Sequence, residues 1–183
     1  MYIDKALERL NQIEWSEVGT KGDKLDGELF TEFLRRLAYY YQKMNMPHAY
    51  PPMWRFISLF HRGDFTEDME SYKHSTFSEI KAEFPLLFEK IPKNTHFVEN
   101  WALCYIQMAR DVDNGEADPD DLDVLEPIWI ILQRGGMIYR GDRNVRNAVD
   151  VLNGGYFLYY VEQRWYDKAL NYKPLDLSQY KTE

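Results

Sequence analysis

From Ile3 to Met108 the apolar residues return again and again at three- and four-residue spacing, and that period commits most of the chain to helix. Ile3, Leu7, Leu10 and Ile13 mark a first amphipathic helix. Leu29, Phe30, Phe33, Leu34, Leu37, Tyr41 and Met44 form one broad stripe on a second, which Pro47, Pro51 and Pro52 end. Between the two, Ser16 to Gly27 is polar and carries three glycines, so it reads as a loop, with Asp26 placed to cap the second helix. A short helix is predicted over Met53 to Arg62. The polar stretch from Asp64 to His74 gives no clear pattern. Thr76 and Glu79 have capping-box spacing ahead of Ile80 and Phe84, and Pro85 forces a bend or opens a new first turn. Thr95 is placed to cap a strong helix bearing Phe97, Val98, Trp101, Cys104, Tyr105 and Met108. Trp101 and Phe97 are expected in the central core with Phe33 and Leu37.

Beyond Glu126 the period becomes ambiguous. Pro127 to Gln133 reads as a buried helix or as a β-branched strand, and Gly135-Gly136 then turns the chain. Asp142 is placed to cap a helix bearing Val145, Ala148, Val149 and Leu152. The alternative is a hairpin, with Ala148 to Leu152 and Tyr156 to Val161 paired about Asn153-Gly154-Gly155. The spacing of Val145, Val149 and Leu152 favours helices. The expected fold is mainly α: a single compact helical domain over residues 1–172, a small β-hairpin in the C-terminal third as the alternative, and a loosely packed extension over 173–183.

With 45% hydrophobic and 16% aromatic residues, the chain is rich enough to bury a core and is not of disordered composition. Its longest apolar runs, Ile128 to Leu132 and Tyr156 to Val161, are too short to span a bilayer. Met1 to Gln12 is amphipathic rather than apolar, so no secretory signal is expected. Cys104 is the only cysteine; an intrachain disulfide is excluded, a reducing cytoplasm suits the chain, and the thiol reads as packed rather than reactive. A formal charge of -8 argues against direct binding of nucleic acid, whose phosphates need a basic surface.

That charge is not spread out. The sixteen residues from Asp111 to Glu126 contain eight acids and no base: Asp111, Asp113, Glu116, Asp118, Asp120, Asp121, Asp123 and Glu126. Outside them acids and bases balance at 22 each. Such a window binds a cation, aims a field at something basic, or is a solvated linker with Asp120 or Asp121 capping a helix that begins near Leu122. Asp111, Asp113 and Gly115 start like a calcium loop. An EF-hand, however, wants glycine at the sixth position and a bidentate Glu at the twelfth, where this chain has Glu116 and Leu122. His48, His61, His74 and His96 offer no pair at metal-ligand spacing, so no metal and no cofactor are expected. No nucleophile elbow is present either.

Two functional constellations remain. Asp118, Asp120, Asp121 and Asp123 would steer a basic partner, with Tyr156, Tyr159 and Tyr160 from the aromatic C-terminal third as anchors. The expectation is a non-catalytic, cytoplasmic interaction protein. It would be a small acidic inhibitor of the immunity-protein or antitoxin type that masks a basic site on a partner protein such as a toxin or nuclease. The second constellation is Arg134-Gly135-Gly136 with Arg140, Arg143 and Arg146. Glycine lets backbone amides approach an anion and arginine binds it in bidentate fashion, with His61 or an acid as base if the protein is an enzyme. The same glycines read equally as turns, and the same arginines as partners of the chain's own acids. A structural or oligomerising scaffold is the third class.

Overall fold

A computed structural model describes residues 1–20, 27–33, 35–36, 67–92, 96–136 and 173–180. Among these, 78% are helical and none lies in a strand, so the mainly-α expectation holds. The proposed hairpin, the Met53 to Arg62 helix, the Asp26 and Thr95 caps, Leu37 and the Phe97 side chain all lie outside the described residues.

Helix α1 spans Tyr2–Gln12 and buries Ala6 and Leu10, the inner face the spacing predicts. Helix α2 is described over residues 27–33 and 35–36. It buries Leu29, Phe30 and Phe33, the two rings meeting edge to face at 5.8 Å between centroids. Helix α3, Glu67–Glu83, begins well before Thr76. Thr76 is therefore an interior, buried residue and not the N-cap its spacing with Glu79 suggests. Pro85 opens α4, Pro85–Lys90, at its first position, where the missing N–H costs nothing.

Helix α5, His96–Asp113, is the spine. It packs against α1 and against the 3-10 segment that follows it. Trp101, Ala102, Leu103, Ile106 and Ala109 are wholly buried, and Trp101 ties its indole Nε1 to the Leu125 carbonyl at 3.1 Å. Cys104 lies in the same core. Burial, with the Asp111 charge added, pushes its thiol well above the ordinary range and keeps it protonated.

The acidic window is not a linker. It supplies the end of α5, a turn, the 3-10 helix Pro119–Leu125, and the start of α6, Glu126–Gln133. Helix α6 is the buried-helix reading of the ambiguous run, with Ile128, Ile130, Ile131 and Leu132 all inside. It ends in a Schellman motif: Gly135 takes φ +79°, and Gly136 N–H donates to Ile131 O at 2.9 Å. The C-terminal residues that the sequence presents as a loose extension are docked where they are described, with Leu177 and Tyr180 of the 3-10 turn Leu177–Tyr180 buried.

Candidate functional site

The acidic segment is built from backbone geometry outward. Helix α5 closes on Gly115 at φ +77°, with Glu116 N–H donating to Asp111 O at 2.8 Å and Gly115 N–H to Val112 O at 3.1 Å. This is the Schellman pattern, and it explains the glycine at this point: an L side chain is disfavoured at that φ even though the space beside it is open. The calcium-like opening is thus a helix terminus. The Asp111 side chain is buried and accepts from Gln107 Nε2 at 3.0 Å. Asp113 reaches the far end of the chain, accepting the Tyr2 and Ile3 N–H groups at 2.8 and 3.0 Å. Helix α1 has no side-chain cap of its own, so Asp113 satisfies two of its orphan donors. Desolvation of its carboxyl, the largest single influence, acts upward. The two backbone hydrogen bonds and the N-terminal amine outweigh it and hold the pKa below the usual aspartate range.

Asp118 is the N-cap of the 3-10 helix, followed by Pro119 at the first position. Its N–H donates to Asp121 Oδ2 at 3.1 Å, while the Asp121 N–H returns to the Asp118 carbonyl at 2.9 Å. Asp121 is accordingly buried. The cap lies at Asp118, ahead of where the Asp120 or Asp121 reading places it. The far end of the window is pinned by Arg9, whose Nη1 and Nη2 grip Glu126 Oε2 and Oε1 at 2.5 and 2.7 Å. Arg9 also donates to the Tyr105 hydroxyl at 3.1 Å and lies 3.9 Å over the Trp129 ring. Burial acts to lower the Arg9 pKa, but the hydrogen bonds to Glu126 and Tyr105 raise it further. Arg36 of α2 donates Nη1 to the Asp123 carbonyl at 2.7 Å.

The window therefore divides. Asp111, Asp113, Asp121 and Glu126 serve the fold. Glu116, Asp118, Asp120 and Asp123 stand exposed on one pinned segment. Sequence reasoning placed Asp118, Asp120, Asp121 and Asp123 in the candidate site; Asp121 is instead buried, its carboxylate accepting the Asp118 N–H as the second half of the capping box. It missed that Arg9 and Arg36 brace the segment. The i,i+4 pair of Glu32 and Arg36 was a readable signal for the second of these; Arg9 offered none. Tyr156, Tyr159 and Tyr160 lie outside the described residues.

Of the anion-binding alternative only Arg134 is described. It is the C-cap of α6, its N–H donating to Ile130 O and Ile131 O at 3.1 and 3.2 Å. Gly135 and Gly136 offer their carbonyls to the Gly19 N–H at 3.0 and 2.8 Å. Arg140, Arg143, Arg146, His48 and His61 lie outside the described residues; His74 is exposed on α3. Among the described residues no group of three or more His, Cys, Asp or Glu side chains is placed to hold a metal ion, and no helix is long and apolar enough to cross a membrane. Compared with protein-family models, curated proteins and solved structures, the chain shows no significant similarity to any.

Proposed function

We propose that this protein is a non-catalytic binding protein that meets a basic site on a partner protein with the exposed carboxylates of Glu116, Asp118, Asp120 and Asp123. The intended class is a small acidic inhibitor of the immunity-protein or antitoxin type, acting in the cytoplasm to mask a toxin or nuclease. One observation carries the reading. The chain's whole net charge falls in a segment that is fixed at both ends, with four acids facing solvent on it. A fixed charged face steers encounter and loses little entropy on docking. Tyr156, Tyr159 and Tyr160 remain the proposed apolar anchors.

The test is the association rate against ionic strength. Asp118, Asp120 and Asp123 are replaced together by Asn, which keeps the cap at Asp118, and Asp121 is left alone. With the stoichiometric partner that co-purifies from the source cell, the wild-type rate should fall steeply with salt. The variant should associate at least about tenfold more slowly at low salt and converge with wild type near molar salt, where screening acts within roughly 3 Å. Equal rates and equal salt slopes for the two forms would end the electrostatic reading.

A further inference from the structure

The C-terminal residues and the acidic 3-10 helix meet on one side chain. Arg36, with its side chain 13% exposed, donates in three directions: Nε to Glu32 Oε2 at 2.8 Å, Nη1 to the Asp123 carbonyl at 2.7 Å, and Nη2 to the Leu175 carbonyl at 3.3 Å. Glu32, 1% exposed, also accepts the Leu175 N–H through the same Oε2 at 3.1 Å. Further along, Leu177 and Tyr180 are buried, and the Tyr180 hydroxyl donates to Glu28 Oε2 at 2.8 Å. Three residues of α2, one helical turn apart, therefore hold the tail, and one of them also holds the acidic segment. A guanidinium carries its donors in a rigid plane, so two carbonyls bound to it cannot shift independently.

We infer that residues 173–180 act as a strap which, through Arg36 and Glu32, keeps the acidic 3-10 helix in its presented geometry. Tail docking and the order of the acidic face stabilise each other. If the tail lifts, Glu32 loses the Leu175 N–H and Arg36 loses one of its two carbonyls, which frees it to turn from the other. By linkage, a partner that needs the docked geometry of the acidic face also favours tail docking by the same factor. That last step rests on the binding function proposed above; the strap itself does not.

Hydrogen exchange on the free, full-length protein tests the strap with no partner present. Leu177→Asp places a charge where an apolar side chain is buried. The Leu175 amide should then exchange at least about tenfold faster, and the Asp121 and Glu126 amides should accelerate with it, while Leu103 and Ile106 in α5 keep their rates. If the α5 amides also speed up, Tyr180→Phe, which removes only the hydrogen bond to Glu28, gives the same pattern at smaller amplitude. Arg36→Lys keeps a charge beside Glu32 but cannot bind both carbonyls, and it should loosen tail and acidic helix together. Acceleration at Leu175 with wild-type rates at Asp121 and Glu126 overturns the strap, as does an unaltered Leu175 amide in Leu177→Asp, or loosening of only one segment by Arg36→Lys. Equal association rates in the charge experiment combined with coupled exchange here would remove the partner reading and leave the strap standing.

Discussion

Single residues carry unusually separable roles in this fold. Trp101 is wholly buried on α5 and spends its one polar atom on the Leu125 carbonyl. Truncation to Ala should cost about 3–5 kcal/mol in urea titration, since it removes a large buried ring and leaves a cavity. A loss below about 1 kcal/mol would mean the surroundings collapse fully into the space. Asp113 makes the clearest pH-dependent contribution. Its folded pKa is lowered, so the stability it adds is present above the unfolded value, near pH 4, and is lost as pH falls through the folded value. Asp113→Asn should therefore be less stable than wild type at pH 7, with the gap closing as pH falls below the unfolded aspartate value. A gap independent of pH would show that the carboxylate charge is not what caps α1.

At the scale of elements, the acidic 3-10 helix separates acids that look alike in sequence. Asp121 is buried with its carboxylate on the Asp118 N–H, whereas Asp120 is exposed. Asp121→Ala should destabilise by about 1–2 kcal/mol and Asp120→Ala by no more than about 0.5 kcal/mol, measured as denaturant midpoints at constant slope. Equal effects would contradict the cap. This distinction also shows what the sequence leaves hidden. Helical spacing makes α1, α5 and the stripe of α2 legible, because each is a local period of apolar residues. The proline at the start of α4 is legible for the same local reason. Thr76 misleads because its pattern with Glu79 is equally compatible with a helix that has already begun, and the residues before it carry no apolar period to reveal α3. The acidic run looks like a solvated linker because eight like charges suggest repulsion. Its actual order comes from partners far away in the chain, the Tyr2 and Ile3 amides, Arg9 and Arg36, which no local pattern announces.

At the scale of the whole molecule, the N-terminal helix and the acidic window hold each other in place. Asp113 caps the start of α1, and Arg9 near its end grips Glu126, so two charged contacts about two turns apart fix α1 across α5 and α6. The Arg9 and Glu126 side chains are 27% and 15% exposed, which places the pair between a surface bridge of little worth and a fully buried one. Arg9 also covers Trp129, whose indole Nε1 donates back to the Arg9 carbonyl at 3.3 Å. Removing one partner takes a bidentate charged contact from the other, which is itself partly buried. Arg9→Met should thus destabilise by about 1–3 kcal/mol, and Glu126→Gln by a similar amount. The Arg9→Met/Glu126→Gln double variant should lose less than the sum of the two, with a coupling of about 0.5–3 kcal/mol in a double-mutant cycle. Because the pair is partly shielded from solvent, that coupling should persist at high salt, unlike the association rate of the exposed acids. Additive losses in the cycle would mean that the bidentate contact contributes nothing to the join between α1 and α6, leaving α1 to its apolar face and its Asp113 cap.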